Sequence, residues 1–111
     1  MYVMDICSVF GNAIDNCIES VKKIEDKQKR IIRVAVFSKN GFLMMRFENY
    51  YEEDIIFRDG LPITTKSDNH YHGYGIKSIK KTIEGYNGNL SISTDNNWFV
   101  MKILIPLPSE E

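Results

Sequence analysis

Two asparagines four residues apart, Asn12 and Asn16, sit in the run Gly11-Asn12-Ala13-Ile14-Asp15-Asn16-Cys17-Ile18-Glu19. On a helix that spacing stacks both amides on one face. Asparagine is a mediocre helix former, so propensity gives no reason for two of them beside an apolar stripe. Amide oxygens are hard, neutral donors suited to Mg²⁺, an ion that keeps several waters and shares oxygens with phosphates. Two solvent-facing amides would show the same spacing.

A second constellation is Gly73-Tyr74-Gly75-Ile76-Lys77, predicted to open a helix. Free backbone N–H groups at a helix start, approached closely where glycine has no side chain, attract anions. A flexible hinge has the same composition. The sequence holds no GxxxxGK[ST] and no GxGxxG after a strand, which disfavours a P-loop and a Rossmann site.

Thr64-Thr65-Lys66 stands a few residues before the glycines, where a cation and two hydroxyls could close on phosphates; a polar surface loop reads the same way. His70 and His72 lack Cys or carboxylate companions in a ligand pattern, so exposed lid histidines fit better than zinc. Asn49 ends a strand at the mouth of this loop. Its amide oxygen could accept from the exocyclic amine of adenine against the apolar wall of a sheet. Strand ends also use asparagine simply to turn. No serine sits in a nucleophile elbow, and neither cysteine has electropositive neighbours in sequence.

These residues need elements to position them. Ile6, Val9, Phe10, Ala13, Ile14, Cys17, Ile18, Val21 and Ile24 recur at three- and four-residue steps, predicting an amphipathic helix over 5–27. Asp5 is its expected N-cap, and Glu19 with Lys23 an i,i+4 pair. Strands are predicted at Ile31–Phe37 and Phe42–Phe47, with Asn40-Gly41 as the hairpin turn between them. From Glu48 to His72 periodicity is lost apart from Ile55-Ile56-Phe57, giving a loop of about 25 residues, a length usual for lids and disorder. A second helix is expected over Tyr74–Glu84, ended by Gly85 and Gly88. A closing hairpin, Leu90–Thr94 and Trp98–Ile105, turns at Asp95-Asn96-Asn97 and stops at Pro106 and Pro108. The order predicts an α+β fold, an α/β sandwich with one helical layer on a mixed, largely antiparallel sheet.

At 111 residues, 43% hydrophobic and 26% charged, the chain fits a single globular domain over 1–111. Fourteen basic and fifteen acidic residues leave net charge −1, without the basic excess of a nucleic-acid binder. No apolar run approaches the ~20 residues of a membrane span. Cys7 and Cys17 on one helix would be roughly 15 Å apart at 1.5 Å per residue, too far to pair. A reduced, cytoplasmic setting is expected.

The signals are weak singly, but their order is specific. Paired asparagines, a strand ending in Asn, a long loop with Thr-Thr-Lys, Gly-Tyr-Gly at a helix and a closing hairpin resemble the GHKL ATPase superfamily and its Bergerat nucleotide-binding fold. More narrowly, the chain resembles the catalytic ATP-binding domain of sensor histidine kinases of the Agr quorum-sensing receptor type, from about Asp5 to Pro106. The resemblance makes Asn12-Ala-Ile-Asp-Asn16-Cys17 the N-box, with Asn16 a Mg²⁺ ligand and Asn12 near metal and phosphates. It makes Gly73, Tyr74, Gly75 and Ile76 the glycine box that cradles the phosphates. Thr65-Lys66 matches the family's Thr-Lys before the lid, putting Lys66 near the γ-phosphate. Glu84-Gly85-Tyr86-Asn87-Gly88-Asn89-Leu90 looks like the family's helix-to-strand turn.

Two departures accompany it. The family's DxGxG is replaced by Glu48-Asn49-Tyr50-Tyr51-Glu52, so Asn49 stands where an adenine-reading Asp is usual. An amide can still accept that hydrogen bond, without the charge. The strand and helix that usually precede the N-box, the dimerisation helices and the phosphoacceptor His are also not found. The resemblance thus implies a piece of a larger, membrane-anchored receptor that binds Mg·ATP and supplies the γ-phosphate for histidine autophosphorylation. Implied partners are the receptor's own dimerisation and phosphoacceptor domain and a response regulator. A lid over Ile55–Tyr71 is expected. The alternative is a degenerate Bergerat module serving receptor dimerisation or partner control.

Overall fold

The structure, a computed structural model, describes residues 3–52, 55–63 and 70–108; for Ile56, Ile63 and residues 70–74 it describes the backbone alone.

The first helix, α1, spans Val3–Lys22 and buries Val9, Ala13, Cys17 and Val21, one residue per turn. It starts ahead of Asp5, which therefore lies in the first turn instead of capping it. There its carboxylate favours the helix N-terminus and accepts the hydroxyl of Tyr86. The helix also stops at Lys22, short of the predicted 27. Lys23 and Ile24 donate to the carbonyls of Ser20 and Val21, tightening the last turn, and Ile24 is buried as an anchor. The polar stretch beyond forms a short 3₁₀ turn at Lys27–Lys29, where Asp26 accepts from the Gln28 amide at 3.0 Å.

Strands β1 (Ile32–Lys39) and β2 (Phe42–Tyr50) pair antiparallel, with Val34 opposite Phe47 and Lys39 opposite Phe42. Asn40 and Gly41 both take positive φ, 54° and 81°, the twist that a two-residue hairpin needs. Both strands outrun their predicted ends at Phe37 and Phe47. Their extra residues are Ser38 and Lys39 on β1 and Glu48, Asn49 and Tyr50 on β2, polar or amphipathic residues that the ladder includes.

The predicted loop contains a small hairpin of its own, β3 (Ile56–Arg58) with β4 (Leu61–Ile63), turning on Asp59-Gly60. Three-residue strands are too short to show periodicity, and Pro62 further masks the second. Leu61 and Ile55 pack against the core, so this part of the expected lid is anchored. Helix α2 runs His70–Glu84, four residues ahead of its predicted start. It takes in His70 and His72, which belong to its first turn and not to a loop. Glycines weaken a helix by roughly 0.5–1 kcal/mol each relative to alanine, which is why Gly73 and Gly75 read as its boundary.

Strands β5 (Asn89–Asp95) and β6 (Trp98–Pro106) close the fold around Asn96-Asn97, again both at positive φ. The sheet order is β1-β2-β6-β5, and each pairing among the described residues is antiparallel, in keeping with the largely antiparallel sheet expected. Its helix-side face presents Met45, Phe47, Asn49, Phe99, Met101, Ile103 and Ile105, which meet Val9, Ala13 and Cys17 of α1 and Ile76, Ile79 and Ile83 of α2. The helices thus lie over β2 and β6. Val34 and Val36 at the β1 edge share that face yet remain 41% and 50% exposed. The result is the α+β sandwich expected, two helices in one layer on a largely antiparallel sheet. Among the described residues no helix is long and apolar enough to cross a membrane.

Candidate functional site

Asn12, Asn16 and Ser20 lie at four-residue steps on α1, one position behind the buried stripe of Ala13, Cys17 and Val21. A 100° rotation per residue sets this polar row along the flank of the helix that the core stripe clamps down. All three are half-buried. The row therefore borders the sheet instead of facing bulk water, which separates it from two simple surface amides.

At the end of the row stands Asn49. It is fully buried on the helix-side face of β2, the one buried polar residue among those described. Its Nδ2 donates to Ser20 Oγ at 2.8 Å and to the Tyr50 carbonyl at 3.2 Å. Its Oδ1 is buried with no hydrogen-bond partner. A buried acceptor without a donor carries a desolvation penalty of about 1–3 kcal/mol, so an orphan of this kind marks a place where a donor is expected. Asn49 is therefore not a turn former: it sits inside the ladder, opposite Ile32 on one side and Phe99 on the other. The chain turns only afterwards, where Tyr51 and Asn97 exchange two hydrogen bonds, Tyr51 N to the Asn97 carbonyl and Asn97 Nδ2 to the Tyr51 carbonyl.

Gly73 and Gly75 fall in the first two turns of α2, one turn ahead of the core residue Ile79. With α2 starting at His70, the N–H groups that a helix leaves without an internal acceptor end at residue 72, so Gly73 directly follows them. At Gly75 an added Cβ would meet no described atom within 4 Å, so packing within the described residues does not demand glycine there. Open backbone of this kind suits close approach by an anion. Ile76 has its side chain in the core, so any part it plays at a ligand is through the main chain. Thr65, Lys66 and the Tyr74 side chain lie outside the described residues. The described part of the site thus joins α1 to the end of β2 through the Ser20–Asn49 hydrogen bond, and α2 to α1 through the shared core.

Ser20 escaped the sequence reading. The signal was its place one turn beyond Asn16, extending the pair to a triplet. The described residues hold no cluster of three His, Cys, Asp or Glu side chains that could cage a metal. Neutral amide oxygens beside phosphate are the donor set that suits Mg²⁺. The buried thiol of Cys17 is pushed up to about 12 by desolvation and serves packing, not chemistry.

The comparison with family models decides the relationship: the GHKL domain model matches residues 1–106. The chain belongs to the GHKL domain family. Its members bind ATP, generally with Mg²⁺, and are ATP-dependent enzymes that include kinases and ATPases. No curated protein matches the chain.

Proposed function

We propose that this GHKL domain binds Mg·ATP and supplies the γ-phosphate for autophosphorylation of a histidine on a separate dimerisation domain of a two-component sensor kinase. The observation that carries the reading is the buried, unpartnered Oδ1 of Asn49 at the end of the Asn12–Asn16–Ser20 row. It is an acceptor suited to the 6-amino group of adenine, next to amides suited to a metal-bound phosphate chain.

Phosphoryl transfer asks mainly for positioning and charge neutralisation. Asn49 receives the adenine amine. Asn16 holds Mg²⁺ through its amide oxygen, with Asn12 beside it toward the phosphates. Bound Mg²⁺ contributes charge neutralisation on the phosphate oxygens. Backbone N–H groups around Gly73 and Gly75 face the phosphates, flanked by Tyr74 and Ile76. Thr65 and Lys66 close from the lid and set a positive charge against the γ-phosphate. The parent is a membrane-anchored receptor with this domain on its cytoplasmic side, and its phosphoryl group passes on to a response regulator.

One observation favours a second reading, a degenerate interaction module: the neutral amide of Asn49 in place of a carboxylate. Calorimetric titration with ATP, with and without Mg²⁺, separates the two. Micromolar-to-millimolar binding strengthened by Mg²⁺ supports the kinase. An absence of binding by protein that circular dichroism shows folded supports the module. Asn16→Ala should lose the Mg²⁺-dependent part of binding while keeping the fold, because its side chain flanks the core instead of filling it. Unchanged affinity in folded Asn16→Ala removes Asn16 from the metal role.

A further inference from the structure

We infer that the outer edge of β1 is a self-pairing surface, on which a second copy of this chain adds its own β1 antiparallel across a two-fold axis at Ala35. The inference stands apart from the nucleotide reading. β1 ends the four-stranded sheet, and no described residue pairs with its far side. Natural edges are commonly blunted by proline, a bulge, shortness or an inward-pointing charge. β1 instead runs eight residues in unbroken register with β2, without proline. Its charges, Arg33 and Lys39, lie on the face away from the helices, while the helix-side face carries Ile32, Val34, Val36 and Ser38. Val34 and Val36 stay part-exposed there, and the part-exposed Phe10 meets Phe47, the residue paired with Val34. At the opposite edge of the sheet, Leu90 and Ile92 of β5 pack against the core.

The backbone decides how a second copy fits. The Tyr50 N–H donates to the Ile31 carbonyl at 3.1 Å. Arg33, Ala35, Phe37 and Lys39, at two-residue steps from Ile31, therefore turn their hydrogen-bonding groups toward β2. Ile32, Val34, Val36 and Ser38 turn theirs to the open edge. A two-fold axis at Ala35 sets Ile32 opposite Ser38 of the copy and Val34 opposite Val36, so each outward N–H and C=O meets its complement. On the helix side the exposed valines then close on each other, a favourable β-branched pair. On the far face Ala35 meets Ala35, small enough for close approach on the axis, and Arg33 stands opposite Phe37. An axis at Val34 would leave Ser38 beyond the ladder. An axis at Val36 would set Arg33 against Lys39, and like charges directly opposite destabilise a sheet. The Ala35 register pairs the whole strand without that clash, giving one continuous sheet with the helices of both copies on the same face.

An edge of eight residues makes a small interface, so the association is weak and reversible. Sedimentation of the whole chain from about 10 μM to about 1 mM should show its apparent mass rising from one chain toward two. Val36→Lys places an inward charge at a position the single chain leaves half exposed, and should weaken association at least about tenfold. Crosslinking reads the register independently of that variant, in a Cys7→Ser background that removes the exposed native thiol. Ala35→Cys sets two thiols opposite each other in a non-hydrogen-bonded pair, within the Cα spacing a disulfide needs, and oxidised glutathione should join the copies. Lys39→Cys, opposite Ile31 and about 26 Å from its own counterpart, should stay unlinked. A folded chain that sediments as a monomer throughout overturns the inference, whether or not it binds ATP. So does a dimer that survives Val36→Lys in folded protein, or crosslinking at Lys39→Cys that matches Ala35→Cys.

Discussion

Tyr86 donates its hydroxyl to the carboxylate of Asp5, tying the first turn of α1 to the loop that leaves α2 across 81 positions of sequence. Apolar side chains of both helices also share the core, and this polar tie links where α2 ends to where α1 begins. A hydrogen bond to a charged group is worth about 1.5–3 kcal/mol, and partial exposure favours the low end. Tyr86→Phe should lower the unfolding free energy by about 1.5 kcal/mol, read as a lower urea midpoint at unchanged m.

Phe47 lies fully buried in mid-sheet, and Phe10 meets it edge to face with ring centroids 5.3 Å apart. The two rings are unequal. Phe10 is 39% exposed, so its ring loses little on truncation. Phe47→Ala should cost about 3–5 kcal/mol, a large share of the ~5–15 kcal/mol available to a domain of this size. Phe10→Ala should cost about 1 kcal/mol, or about 5 °C in Tm. Thermal melts followed by circular dichroism check both. Equal losses would mean that Phe10 is held in the core more firmly than its exposure indicates.

How much of this was legible beforehand follows the physics of each signal. The α1 stripe and the two Asn-bearing hairpin turns were plain, because four-residue periodicity and paired positive-φ turns are local properties. The β3–β4 hairpin was not, since three-residue strands carry no period. The early start of α2 was hidden by glycines that a helix tolerates when its later turns, Ile76, Ile79 and Ile83, are anchored in the core. At the site, four-residue spacing picks out Asn12 and Asn16, and the strand-end position picks out Asn49. These signals leave each open to a surface reading, because burial is a tertiary property. Ser20 stands one turn beyond Asn16 in the sequence, but what it touches, Asn49, is 29 residues away and is a tertiary contact.

The two cysteines should differ sharply in reactivity. Cys7 is exposed on α1, while Cys17 is buried with its thiol pushed up to about 12. Thiolate is the reactive form, so titration with a disulfide reagent at pH 8 should modify one thiol in the native protein and both in urea. The same burial makes stability depend on pH. The native state keeps the Cys17 proton while the unfolded state releases it above about 9. The unfolded chain then binds fewer protons, so this contribution is complete below pH 9 and falls as pH rises toward 12, by about 1.4 kcal/mol per unit. Cys17→Ala should show a shallower loss of stability over that range than the parent chain. Parallel curves would show that the thiol does not titrate on unfolding.

Two glycines make opposite predictions. At Gly88 an added Cβ would stand 2.9 Å from the carbonyl oxygens of both Ile83 and Leu104, where the backbone passes between helix end and sheet. Neither oxygen can retreat, because the Ile83 carbonyl accepts the Gly88 amide at 2.8 Å and Leu104 lies in the β6 ladder. Gly88→Ala should therefore destabilise the fold by more than 1 kcal/mol, roughly the scale of moderate overpacking. Gly75 is helical with no described atom within 4 Å of where its Cβ would be, and there alanine should stabilise the protein by about 0.5–1 kcal/mol. If that open backbone receives phosphates, the methyl group of Gly75→Ala intrudes on them. A higher melting temperature should then accompany weaker ATP binding, with both measured on the same sample. Gain of stability without loss of affinity would place the phosphates elsewhere on α2 and leave Gly75 with no ligand role.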